Sequence, residues 1–497
     1  MHKRIFVVHG FMFVAFVVQA VVVRAVGDEW AALWLTLLEI ETIMVYTYVL
    51  ITVVRHVGST SVFMFYHLAF GMFLLSRFVL DLANLTAVEE IDTMISATLP
   101  LWAMARTIEA FLLVLIVQTP LYFALSAAIV LKARHLQRDA AEVSVARILF
   151  VAATPLFLYR AILEMNAVAA TGYAAMYSGG MSQVLELPFA LRVSTTVMTA
   201  AFLVILKNAP SRREFLVYGC MFLIAEVADM MKGARGMFMV TLVFLLWYHN
   251  KTFSAQRIAF RRFLLMAPVL FVVLLFIGAR RVNETLEFVD VANMILVFVI
   301  GTGSSMLVSA LIITWGPAMA NASYPYVLDP VVYLYNLAKT PELLRVGQSF
   351  EMLAVRNDLG HKVTFFSNPG FYLRGQSIGT SAVAEWLEFG LVGVATGAAL
   401  WVVFAVLFEK ATDRRSQVGL AVLYAYQLFY LIIWAPRNNF LPNSYILLRD
   451  GLAVGAIIVA ASVVRAVLRP APFAVAHRHD RDSRFVPSGP ASPWRAE

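Results

Sequence analysis

Residues 291–313 read VANMILVFVIGTGSSMLVSALII, two short apolar halves around a Gly/Ser centre, and whether they cross a membrane sets the sidedness of everything around them. The surrounding chain is that of a polytopic membrane protein. Of its 497 residues 61% are hydrophobic and 14% charged, with a mean hydropathy of +0.78, far more apolar than a soluble domain of that length. Windows of about 20 apolar residues predict further spans near 5–26, 31–54, 61–83, 106–131, 146–166, 188–206, 214–231, 236–249, 260–279, 381–408, 417–436 and 451–468. The basic clusters at Lys3-Arg4, Arg55-His56, Lys132-Arg134-Arg138, Lys207-Arg212-Arg213, Lys251-Arg257-Arg261-Arg262, Lys410-Arg414-Arg415 and Arg465-Arg469 belong on the cytoplasmic side, where basic residues accumulate. All of them comply if 291–313 does not cross. The segment is then either a re-entrant hairpin, tolerated only where protein or water satisfies the freed backbone groups, or an outer-face helix packed on the bundle. Both choices give an all-α protein with about twelve transmembrane helices, both termini cytoplasmic and 314–380 outside.

Residues 1–469 are expected to form one transmembrane domain with 314–380 as a loop subdomain. Tyr324, Tyr326, Tyr333, Tyr335, Phe350, Phe365, Phe366, Phe371 and Tyr372 are too many aromatics for an unstructured linker of that length. They predict short helices capping the bundle. Residues 470–497, rich in Pro, Arg, His and Asp, have little to pack with and are expected to be a disordered cytoplasmic tail. The first apolar stretch is long enough to span and lacks a small-residue cleavage site, so it reads as retained. The single cysteine, Cys220, excludes an intrachain disulfide. The formal charge of +8 is dispersed between spans, which suits anionic lipid rather than nucleic acid. No internal repeat appears, which disfavours transporters built from duplicated halves.

Charge at the outward ends of these helices needs a partner. Arg77 with Asp81 and Arg160 with Glu164 share helix faces at a spacing of four, and Arg449 with Asp450 can pair or cap. Arg192 has no acid at helical spacing. Glu226, Asp229 and Lys232 recur every three residues, and Lys232-Gly233-Ala234-Arg235-Gly236 then breaks the helix. Glycines in such a turn let backbone N–H groups and a helix N-terminus face an anion, with Lys232 and Arg235 supplying charge; snorkelling side chains on an ordinary turn are the plainer reading. Arg280 and Arg281 end another span, and Arg437 stands beside Asn438 and Asn439. His361, in Arg356-Asn357-Asp358-Leu359-Gly360-His361-Lys362, is the only histidine of the outer face and could deprotonate a hydroxyl or donate to a pyrophosphate. Arg374 precedes a helix carrying Glu385 and Glu388, where the acids either complement the dipole or supply a base. No metal-ligand spacing, P-loop or dinucleotide fingerprint is present.

The broken hairpin ending Lys232-Gly233-Ala234-Arg235-Gly236, the long outer loop, and Gly379-Thr380-Ser381-Ala382-Val383-Ala384-Glu385-Trp386-Leu387-Glu388-Phe389-Gly390-Leu391-Val392-Gly393 resemble the Wzy-type O-antigen and oligosaccharide-repeat-unit polymerases. The resemblance implies a C-type (GT-C-like) membrane glycosyltransferase of the bacterial inner membrane with a large periplasmic loop. Such an enzyme moves a growing glycan from undecaprenyl pyrophosphate to a new lipid-linked repeat unit, with a flippase and a chain-length regulator as partners. It implies neither metal nor cofactor, since guanidinium and ammonium groups can hold the leaving pyrophosphate. Arg235 and Glu385 match the family's segments. From position, Lys232, Arg235, Arg280, Arg374 and Arg437 are expected at the pyrophosphates and Glu385 or His361 at the acceptor hydroxyl, with Arg192, Arg281, Glu226 and Asp229 as secondary candidates. An O-antigen ligase, sharing the donor but using a lipid A core acceptor, and a lipid-linked oligosaccharide flippase are the alternatives.

Overall fold

The computed structural model describes residues 2–26, 28–86, 99–130, 138–172, 187–232, 235–253, 291–319, 324–340, 342, 347–412, 426, 431–441 and 444–468. Their regular structure is entirely helical. The long helices are α1 (His2–Val26), α2 (Ala31–His56), α3 (Val62–Phe70), which runs through a π turn at Gly71–Leu75 into α4 (Ser76–Leu82), α5 (Leu101–Ala128), α6 (Ala140–Thr171), α7 (Phe189–Lys207), α8 (Arg212–Met230) and α9 (Arg235–Thr252). Among the described residues, nine helices are long and apolar enough to cross a membrane. The segments at 214–231 and 236–249 are helical, as α8 and α9, but are not among the nine. The expected span at 260–279 and most of that at 417–436 lie outside the described residues, as does the tail from 469.

Depth in the bundle follows composition. Helix α5 is apolar on every side, and 72% of its most hydrophobic window is buried; for α1 and for Tyr445–Val467 the share is 22%. A helix hydrophobic all round belongs at the centre when neighbours cover it and faces lipid when they do not. Helix α2 and a span described below pack on α5, while α6 and α7 pair with each other. The core between them is aromatic: Phe63, Phe70, Phe78, Phe111, Phe150, Phe202, Phe222, Phe244 and Trp247 are all closed to solvent.

The deciding stretch is helical and does not fold back. It forms α10 (Val291–Thr302) and α11 (Ser304–Met319), interrupted at Gly303 alone. The Gly303 amide still donates to the Val299 carbonyl at 2.9 Å, and the Met306 amide turns to Gly303 at 3.2 Å. A hairpin needs a reversal of direction, which one residue within a helical hydrogen-bond ladder cannot supply. The unreversed direction corrects the expectation of a re-entrant hairpin and keeps the other expected form, a helix packed on the bundle; by length and composition Ile295–Gly316 is also among the nine apolar helices.

Beyond α11 the chain forms a 3-10 turn at Tyr326–Leu328 and four short helices: α12 (Asp329–Lys339), α13 (Phe350–Val355), α14 (Leu359–Ser367) and α15 (Pro369–Leu373). Helix α12 packs on the last helix (Ser444–Leu468), α14 packs on α11, and α15 packs on α14, so the aromatic segment is folded, as its composition requires. The expected span at 381–408 is split. Helix α16 (Ala382–Leu387) ends at Glu388, and Gly390, at φ +65, lets the chain turn into the spanning helix α17 (Gly390–Ala411), which packs on α5. Glu385 thereby sits on a short helix ahead of the span. The final helix is α18 (Ser444–Leu468).

Candidate functional site

Three pieces of chain meet around one carboxylate. Asp358 caps α14, its Oδ1 accepting from the His361 amide at 3.1 Å, while its Oδ2 accepts from Arg356 at 3.0 Å and from the Asn439 side-chain amide at 3.4 Å. Arg356 also reaches Asp329, at the start of α12, at 3.3 Å, and lies over the Tyr333 ring. The Asn357 amide donates to the other Asp329 oxygen at 3.0 Å. A planar guanidinium shared by the buried carboxylate of Asp329 and the half-buried one of Asp358, each with further donors, is an arrangement in which enclosed charge is tolerated. It ties α12 and α14 to the turn that carries Arg437, Asn438 and Asn439.

The electrostatics follow from this enclosure. Burial raises Asp329 to about 6 against the pull of Arg356. Burial acts on Asp358 in the same sense, but the neighbouring His361 and Arg356 outweigh it and hold that carboxyl below its usual range. His361 is lowered to about 4, mainly by burial, with Asp358 opposing and Arg356 adding to the effect. Its Nδ1 lies 3.1 Å from the Tyr372 hydroxyl.

Glu385 is closed to solvent on α16. Its Oε2 accepts from the Phe440 amide at 2.7 Å, and its Oε1 has no hydrogen-bond partner. Burial pushes the carboxyl well above the ordinary carboxylate range, and Asp358, Asp329 and Glu388 add to this. Glu388 accepts from the Tyr326 amide at 3.0 Å. Beside Glu385, a cavity is lined by Ala382, Val383, Trp386 and Phe440 from the same two segments and by Tyr66 and Gln118 from the bundle. A group with raised basicity at the border between a polar cluster and an apolar cavity is the environment general bases require.

The other expected residues distribute around this centre. Arg437 donates to the Thr302 carbonyl at 3.5 Å and lies over the Phe73 ring. Arg235 begins α9; a Cβ on the adjacent Gly236 would stand 3.1 Å from the Trp434 ring, so that helix start abuts the turn leading to Arg437. Lys232 is buried and held by Glu164 at 2.7 Å and Asp229 at 2.5 Å, with Glu226 buried nearby on α8. Arg160 pairs with Glu164 at 2.7 Å, as its spacing predicts, and reaches the Arg192 carbonyl at 3.4 Å, leaving the Arg192 side chain exposed. Arg449 pairs with Asp450 at 2.8 Å. Arg374 is exposed and donates to the Gly370 carbonyl at 3.1 Å. Arg280 and Arg281 lie outside the described residues.

The structure thus unites His361, Glu385 and the segment containing Arg437, and gives Lys232, Glu226 and Asp229 a neighbourhood of their own with Glu164. Sequence reasoning passed over Asp329, Arg356, Asp358, Tyr372 and Asn439. Two had a local signal: Asp329-Pro330 opens a helix, and Asp358 stands three residues before His361 as an N-cap. Tyr372 and Asn439 had none, because their partners are distant in sequence.

The family model described as O-antigen polysaccharide polymerase Wzy matches residues 4–464. No curated protein and no solved structure matches the chain. With nearly the whole length matched, a bundle of apolar helices, and polar groups gathered above it, the chain belongs to the O-antigen polysaccharide polymerase (Wzy) family, membrane proteins that polymerise polysaccharide repeat units.

Proposed function

We propose that this protein joins oligosaccharide repeat units carried on undecaprenyl pyrophosphate into a surface polysaccharide, working at the periplasmic face of the bacterial inner membrane. The observation that carries the reading is the meeting of His361, Glu385 and the Arg437 segment through Asp358, Asn439 and Phe440. In the reaction, Glu385 takes the proton of the acceptor hydroxyl as its oxygen bonds to the donor's anomeric carbon. The bond from that carbon to the pyrophosphate oxygen breaks, and the electron pair leaves with the lipid pyrophosphate. A carboxyl lifted by burial is a stronger base than an exposed one. Arg235, Arg437, Arg280 and Arg374 hold the pyrophosphates, because charge developing on a leaving group is best stabilised by preplaced cations. Lys232, engaged by two carboxylates, orients the turn before Arg235. The flippase that delivers repeat units and the chain-length regulator are the expected partners.

The test is full-length protein in lipid nanodiscs supplied with a defined undecaprenyl-pyrophosphate oligosaccharide. A ladder of lipid-linked products spaced by one repeat unit is the expected result. Transfer to a lipid A core with no ladder would assign the protein to ligation, and movement of the substrate between leaflets with no new glycosidic bond would make it a transporter.

A further inference from the structure

We infer that Tyr372 locks His361 into the tautomer carrying its proton on Nε2, so that this histidine acts as a neutral hydrogen-bond donor to an anionic substrate oxygen and not as the base. The inference rests on the reading of His361 as a site group and assigns what it does there.

The Tyr372 side chain is closed to solvent, and among the described residues its hydroxyl has one hydrogen-bond partner, the His361 Nδ1 at 3.1 Å. Burial raises the phenol to about 12, so it keeps its proton. A phenolic hydroxyl can donate once. If the imidazole donated from Nδ1, the phenol proton would be left buried without an acceptor. That loss is worth roughly tenfold or more in the tautomer ratio. The phenol therefore donates to Nδ1, and a neutral imidazole accepting there carries its proton on Nε2.

The ring is neutral for a separate reason. It is enclosed by α14 and α15 and faced by Asp358, Arg356 and Tyr372, and its value of about 4 leaves it uncharged near neutral pH. Its orientation is set at both ends, by the Asp358 cap on the His361 amide and by the edge-on Tyr372 ring, with Phe365 edge-on to Tyr372 behind it. His361 retains a partly accessible edge. A preplaced Nε2–H there suits a phosphate oxygen or an oxygen gaining negative charge in the transition state. It leaves base duty to Glu385. Tyr372 is then a positioning residue, acting through His361.

The test compares His361→Gln, His361→Ala and Tyr372→Phe in the full-length protein in nanodiscs, using the undecaprenyl-pyrophosphate-linked repeat unit extracted from the source cell. A glutamine amide can reproduce a donor near Nε2 but cannot serve as a base. The expected result is that His361→Gln keeps at least about a tenth of wild-type kcat while His361→Ala keeps under about a hundredth. Tyr372→Phe should lower kcat about fivefold to tenfold with KM within about twofold. In protein labelled with 13C and 15N at histidine, the resonances lost in His361→Gln should report Nε2–H in the wild type.

A wild-type signal reporting Nδ1–H overturns the proposal. So does a His361→Gln enzyme as inactive as His361→Ala together with a Tyr372→Phe enzyme at the wild-type rate. Full activity in His361→Ala removes the histidine from the site and the proposal with it. Wild-type protein that makes no polymer yet shows the Nε2–H signal overturns the polymerase reading and supports the tautomer.

Discussion

At the scale of single residues, the site separates groups whose surroundings push them in different directions. Glu385 is raised by burial and His361 lowered by it, the kind of divergence by which a site divides acid, base and hydrogen-bonding roles. Replacing Glu385 with Gln keeps the shape and a hydrogen-bond acceptor for the Phe440 amide. Polymer formation should fall by about a hundredfold or more while the protein's thermal unfolding stays close to wild type; ladder intensity against wild type checks this, and undiminished polymer would remove Glu385 as base. Arg235→Ala should abolish polymer while single lipid-linked repeat units persist, because a developing pyrophosphate charge loses a cation. Wild-type chain lengths in that variant would take Arg235 out of the site. His361 also predicts a pH effect on stability. Its folded value of about 4 lies below its ordinary 6.5. Between those values the unfolded chain takes up a proton that the folded protein refuses, so this contribution is intact above about 6.5 and is lost as pH falls toward 4. His361→Gln should therefore lose less Tm between pH 7 and pH 5 than the wild type, and equal losses would dismiss the effect.

Among elements, the interrupted helix at 291–319 shows how a broken ladder is kept in an apolar setting. Interruption at Gly303 leaves the Ile300 and Thr302 carbonyls without helical donors. Arg77 Nε supplies one to Ile300 at 3.2 Å, and Arg437 one to Thr302 at 3.5 Å, while Ser76 reaches Val299 at 3.5 Å. Non-helical backbone at membrane depth persists only where protein satisfies it in this way. The arginines also stand at the negative end of α10. Arg77 thus has a structural duty that its spacing from Asp81 did not reveal. The fit is close: a Cβ at Gly303 would lie 2.6 Å from the Ser76 oxygen and 2.8 Å from the Arg77 Cγ. Gly303→Val should lower stability by about 1–3 kcal/mol through overpacking, read as a drop in Tm in nanodiscs; unchanged Tm would mean that the helix pair yields freely.

For the molecule as a whole, the Asp329–Arg356–Asp358 cluster fastens the short-helix subdomain to the bundle through Asn439. Removing its one guanidinium takes the charge partner from the buried Asp329, a change that costs about 3–5 kcal/mol, and leaves the half-buried Asp358 with its amide donors alone. Arg356→Met should accordingly speed amide exchange through 326–373 while α5 stays protected, as followed by mass spectrometry; equal exchange in both proteins would show that the subdomain is held by its aromatics alone. The membrane bundle itself, the folded state of the aromatic loop and the Arg160–Glu164 pair were all legible from sequence. Each depends on hydropathy, composition or helical spacing, which are properties of neighbours along the chain. The unbroken direction of 291–319, the start of the span at Gly390, the capture of Lys232 by Glu164 and the joining of Asp358, Tyr372 and Asn439 around His361 were decided by tertiary structure. Those outcomes turn on which buried polar group finds a donor or acceptor far away in sequence, and only packing brings such partners within hydrogen-bond reach.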